Sequence, residues 1–194
     1  MQNNVSLRLA KRIWEVVEKE FESGELFEKV SPITKELLRF WFCEPFVSQR
    51  QFNFHKGQKQ SILNIIYLHE VLKINNVLEI YEQVAPDLLL ESDLFGAKET
   101  RNSLKESRYD LPKYLVKMAT GTGKTWVMHA LLIWQILNAK NEEEKSGRFT
   151  KNFLIVAPGL IVYDRLLDAY KGRLSENGDG RDSGIATSTT LPSV

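Results

Sequence analysis

The chain is poor in the residues that hold small stapled or metal-built folds together. Its single cysteine, Cys43, allows no intrachain disulfide framework and no cysteine-based zinc site. The three histidines, His55, His69 and His129, show no ligand spacing among themselves. Charge of one sign is also missing: the net charge is +1. The chain as a whole is therefore no nucleic-acid binder by bulk charge, and only local patches remain available. No apolar run approaches the roughly 20 residues that cross a bilayer. The N-terminus is polar and then amphipathic, unlike a secretory leader. Together these absences point to a reducing, cytoplasmic setting, no membrane contact, and a Cys43 thiol that is buried and structural rather than nucleophilic. What is present is core material. Hydrophobic residues make up 43% and charged residues 26% of 194, which predicts a packed interior in one or two domains.

Apolar residues at helical spacing (Leu9, Ile13, Val16, Val17, Phe21) predict an amphipathic helix over 6–22, with Gly24 as its stop. Ser31 followed by Pro32 reads as an N-cap with proline at the first helical position. That helix should run to about Cys43 and end before Glu44–Pro45. Phe40, Trp41, Phe42 and Phe46 suggest a buried aromatic cluster. Ile62, Leu63, Ile65, Ile66, Tyr67, Val71 and Leu72 predict a third helix over about 56–74. Val77–Tyr81 fits strand or helix. The polar stretch 91–111 reads as a surface excursion. Strands are expected at 113–118 and 153–157, helices at 124–140 and 160–170. The helix over 124–140 is apolar nearly all round and should be largely buried. Glu142–Glu144 reads as a solvated loop. From Lys171 onward Gly, Ser, Thr and Asp dominate, which predicts loop or disorder.

The most informative segment is Ala119–Thr120–Gly121–Thr122–Gly123–Lys124–Thr125. It lies between Tyr114–Val116 and Trp126–Met128, in a context that reads as strand, tight turn, helix. Backbone N–H groups of such a turn face the positive end of the following helix and form a phosphate cradle. Gly121 and Gly123 let the backbone approach a pyrophosphate with no Cβ in the way. Lys124 would reach the β- and γ-phosphates and the Thr125 hydroxyl would ligate Mg²⁺. The general pattern places glycine five positions before Gly123, where this chain has Met118. The expected ligands are a nucleoside triphosphate, ATP, and Mg²⁺.

Two neighbouring segments narrow the reading. Phe52–Asn53–Phe54–His55–Lys56–Gly57–Gln58 lies upstream and Leu154–Ile155–Val156–Ala157–Pro158 downstream. In order, they resemble the upstream glutamine motif, motif I and motif Ia of a superfamily-two helicase. Over about residues 40–180 the chain resembles the ATP-driven Res subunit of type III restriction enzymes. The likeness is carried by Phe54–Gln58, Met118–Thr125 and Asn152–Lys171 with its Asp164–Arg165–Leu166–Leu167–Asp168. The resemblance implies an α/β fold: an incomplete RecA-like P-loop domain with a parallel sheet over 112–171. A mainly helical N-terminal region (1–111) would precede it and a disordered or frameshifted tail (172–194) would follow. It implies that Gln58 reads the adenine edge, as an amide offering a donor and an acceptor together. Phe52 or Phe54 would stack on the base, and Pro158, Gly159 and Arg165 would lie where such motors touch nucleic acid. The implied activity is an ATP-hydrolysing DNA translocase or helicase and restriction subunit. Its partners would be DNA and a modification methyltransferase subunit.

The family's Asp-Glu pair, motif II, does not follow motif Ia here, and neither the arginine finger nor a second motor domain is present. Turnover is therefore expected to be very slow, since phosphoryl transfer depends on positioned metal and charge. The likeness stops at Ser183. A one-base shift of permitted codons allows an aromatic and acidic continuation, so a frameshifted, truncated front end is the expectation. The alternatives are a fragment of another superfamily-two helicase acting on DNA or RNA, or an inert nucleotide-binding remnant. An unpaired sheet edge would also make the isolated chain poorly soluble.

Overall fold

The computed structural model describes residues 5–91, 111–141, 147–157, 159–174 and 181–182. The acidic loop at 142–144, Pro158, the tail beyond 182 and nearly all of the stretch 91–111 lie outside the described residues. The chain divides into two compact units, 1–151 and 152–194.

The first unit is helical. Helix α1, Val5–Ser23, turns Leu9, Ile13 and Val17 inward at a spacing of four. It gives way at Gly24, whose φ of +85° favours a residue without Cβ. After the single turn α2 (Leu26–Lys29), helix α3 spans Pro32–Phe42. Ser31 caps it as its spacing predicts: its hydroxyl oxygen accepts the Thr34 N–H at 3.0 Å, and Pro32 occupies the first turn. Helix α4, Lys56–Ile66, continues into a π-helical turn at Tyr67–Val71, followed by α5 (Val77–Val84) and α6 (Pro86–Glu91). Val77–Tyr81 is thus helical, capped by the Asn76 side chain on the Glu79 N–H. Helix α7, Lys124–Asn141, packs against both α3 and α4, and α1 packs on α4.

One core joins these helices through Leu38, Ile62, Leu63, Ile66 and Trp134, each with at most 1% of its surface exposed. The π-helical turn buries four consecutive residues, Tyr67 to Glu70. Its Glu70 carboxylate accepts from the Thr34 hydroxyl at 2.7 Å, the Trp134 indole N–H at 3.1 Å and the Ser31 backbone N–H. Asn138 donates to the Thr34 hydroxyl at 3.0 Å. This polar cluster fixes α3, the π-helical turn and α7 to one another. A buried carboxylate persists only where donors meet it.

Helix α7 is not buried all round. Val127, Ala130, Trp134 and Asn138 form its buried face, whereas Trp126 and Ile133 are exposed. Of the expected aromatic cluster, Trp41 is buried and Phe42 half-buried, but Phe40 and Phe46 are exposed. Cys43 is half-buried, and burial pushes its thiol above the ordinary value against the opposing charges of Lys59 and Arg39.

The second unit contains α8, Leu160–Lys171, which starts at Gly159 and ends at Gly172 with φ +84°. A two-residue antiparallel ladder, Arg173–Leu174 with Arg181–Asp182, follows it.

The expected α/β architecture with a parallel sheet is overturned. Among the described residues the first unit is helical, and the only ladder is that short antiparallel one in the second unit. Residues 113–118 form neither helix nor strand, and among the described residues no strand pairs with them. Tyr114, Val116 and Met118 are half-buried while Lys113, Leu115 and Lys117 are exposed. Tyr114 and Met118 lie against the helical core, so the alternation comes from a chain laid on helices. Residues 153–157 likewise form no ladder, and Leu154 is 89% exposed. Parallel strands are normally covered on both faces, which neither segment is.

Candidate functional site

The glycine-rich loop joins residues 113–118 to the N-terminus of α7, which opens at Lys124. Gly121 and Gly123 hold φ values of +79° and +74°, a region that strains any residue bearing a Cβ. The Thr122 hydroxyl donates to the Ala119 carbonyl at 2.7 Å, and the Lys124 ammonium donates to the same carbonyl at 2.8 Å. Lys124 is thus folded back over the mouth of the loop. Thr120 lies in the turn, and Thr125 is exposed in the first helical turn.

The sequence-predicted Gln58 is brought against this loop. It sits at the third position of α4 and is 7% exposed. Its amide oxygen accepts the His55 backbone N–H at 3.0 Å. Its amide nitrogen donates to the Thr122 carbonyl at 3.1 Å and, more weakly, to that of Gly123 at 3.4 Å. A Cβ on Gly123 would stand 2.2 Å from that nitrogen. The positive φ at 123 favours glycine, and a Cβ there would displace the Gln58 amide from its place against the loop.

A hollow of about 210 Å³ opens beside the loop, lined by Arg50, Phe52, Asn53, Phe54, Gln58 and Trp126. Phe52 is 78% exposed. Phe54 is half-buried, its ring 6.4 Å from Trp126 in an edge-to-face arrangement. It also meets Trp41 and Phe42, which connects the hollow to the aromatic core of the bundle. Arg50 donates to the carbonyls of Phe40 and Trp41 at 2.7 and 3.0 Å and so anchors the chain leading into the hollow.

Sequence reasoning quoted His55 but gave it no role, and it assigned none to Trp126. His55 is the N-cap of α4, and its imidazole reaches the Thr122 carbonyl at 3.0 Å. A signal was available: a side chain able to cap, three residues before a glutamine, is the spacing of a capping box. Histidine is not among the usual caps, which hid it.

The residues fit a triphosphate. The loop is built on two positive-φ glycines at a helix N-terminus, with a lysine and a threonine at its mouth. No cluster of three or more His, Cys, Asp or Glu able to hold a metal occurs among the described residues.

Of the residues expected at nucleic acid, Gly159 is the N-cap of α8 and Arg165 is exposed on that helix. Pro158 lies outside the described residues. No described helix is long and apolar enough to cross a membrane.

Comparison with curated proteins and with solved structures finds no significant match. Residues 51–190 match the family described as type III restriction enzyme, res subunit. The matched span begins just before Phe52 and takes in α4, the glycine-rich loop, α7 and α8, which is more than half of the chain. On that match, the chain belongs to the type III restriction enzyme res subunit family.

Proposed function

We propose that this chain binds ATP with Mg²⁺ as the nucleotide-binding part of a DNA-dependent motor of a type III restriction system. The observation that carries the reading is the loop at 119–125, with positive φ at Gly121 and Gly123 directly before the α7 N-terminus. Family membership supports the helicase-like, restriction-linked half of it. When bound, the nucleotide and its magnesium supply the phosphoryl chemistry and its charge. The chain's own residues orient them. Backbone N–H groups of 121–125 would meet the phosphate oxygens. Lys124 would leave the Ala119 carbonyl for the outer phosphates, and Thr125 would take the metal. Gln58 keeps one amide-oxygen lone pair after its bond from His55, enough to accept from an adenine amino group. Phe52 and Trp126 offer ring faces at the hollow. Gly159, Arg165 and Pro158 would contribute to DNA contact, and a methyltransferase subunit is the partner that the family implies.

No adjacent Asp-Glu pair follows Gly159 in these 194 residues. Binding without appreciable turnover is therefore the expected behaviour of the chain. The test is titration of purified chain with ATP and Mg²⁺, beside Lys124→Ala, following tryptophan emission, to which Trp126 at the hollow contributes. The reading expects a saturable change in the wild type, weakened at least about tenfold in the variant by loss of a charge-assisted contact, with little phosphate release. A wild type that gives no saturable response would refute it.

A further inference from the structure

We infer that His55 is a positioning residue for the phosphate loop, with one ring nitrogen capping α4 and the other holding the Thr122 carbonyl. The inference deepens the nucleotide reading above and rests on it.

The ring's hydrogen bonds fix its tautomer. Nδ1 faces two backbone donors, the N–H groups of Gly57 at 3.1 Å and Gln58 at 3.4 Å. It must accept from them and so carries no proton. In the neutral ring the proton then lies on Nε2, which donates to the Thr122 carbonyl at 3.0 Å. Gly57 belongs to the same device. A Cβ there would stand 3.2 Å from the His55 ring carbon Cε1 and press it away from the helix end.

The Thr122 carbonyl is thus held by two side chains of the same capping box, His55 and Gln58. The peptide between Thr122 and Gly123 is trans, so its N–H points opposite to its C=O. Drawing that carbonyl toward α4 turns the Gly123 N–H away from α4, where a phosphate oxygen would meet it. The start of α4 sets the direction of a donor in the cradle. The His69 imidazole, by contrast, bonds to the Tyr114 hydroxyl and the Arg148 carbonyl.

Two substitutions separate the roles. Asparagine is a good N-cap but is too short to place a donor where Nε2 stands. His55→Asn keeps the cap and loses the tether, whereas His55→Ala loses both. His55→Asn is expected to melt like the wild type and to bind ATP·Mg²⁺ about five- to tenfold more weakly, the size of one lost hydrogen bond. His55→Ala should show the same loss of affinity together with a lower melting temperature. Long-range ¹⁵N–¹H correlation on the wild-type chain at pH 8 should find the His55 proton on Nε2. Wild-type affinity in His55→Asn, a melting loss as large as that of His55→Ala, or a proton on Nδ1 would each overturn the proposal. No binding by the wild type would sink the nucleotide reading itself. Equal binding by wild type and His55→Asn would sink this inference alone.

Discussion

Helices α7 and α8 are both rich in apolar residues, yet they end differently. In α7, Val127, Ala130 and Trp134 are buried at 1–3% exposure. In α8 no residue is buried: Leu160 is 80% exposed and Ile161 71%. Composition does not separate them; the available partners do. Helix α7 has α3 and α4 to pack against, together with a carboxylate at Glu70 that receives its Trp134 indole N–H. Apolar area contributes only when something removes it from water, at roughly 25 cal/mol per Å². The stability of the first unit therefore rests on the contacts α7 makes, and the loop that opens α7 inherits its placement from them.

The largest effect should come from cutting that packing. Trp134→Ala empties the most enclosed side chain of α7 and strands the Glu70 cluster. It should cost about 3–5 kcal/mol in denaturant unfolding. A loss below about 1 kcal/mol would mean that α7 is not held as described.

A second, smaller effect should appear with pH. Burial pushes the His69 imidazole below its ordinary value, against its bond to the Arg148 carbonyl. Burial lowers His129 as well. The unfolded chain then takes up protons before the folded one does. Stability contributed by the neutral rings is complete above about pH 6.5 and is lost as pH falls through the lower folded values. Melting temperature should therefore drop on acidification below pH 6.5, and His69→Gln should flatten part of that slope. An unchanged slope in the variant would remove His69 from the explanation.

The smallest effect is expected in the second unit. Leu160→Ser on α8 should change stability by no more than about 0.5 kcal/mol, as for exposed sites in general. A loss comparable to that of Trp134→Ala would erase the contrast between the two helices.

The same contrast shows which parts of the fold were legible in the sequence. Helices announced themselves where local chemistry decides. Ser31–Pro32 caps α3 as its spacing predicts, and the four-residue spacing of Leu9, Ile13 and Val17 matches the buried face of α1. The parallel sheet failed because a ladder needs a partner that local pattern does not reveal. Tyr114, Val116 and Met118 alternate as a strand would, but they do so on the surface of helices. The extent of α4 was legible, but not its change to a π-helical turn at Tyr67–Val71, where Glu70 meets partners distant in sequence. At the candidate site the glycine-rich loop was plain from Gly121, Gly123 and Lys124. The support beneath it was not, because the bond from His55 to Thr122 spans 67 positions in sequence.

The central claim is that the start of α4 and the glycine-rich loop form one site. Hydrogen–deuterium exchange with and without ATP·Mg²⁺ tests it most directly. The account predicts that amides over 56–58 and over 119–125 gain protection together, and that Lys124→Ala abolishes both changes. Protection of one segment without the other, or of neither, would contradict it.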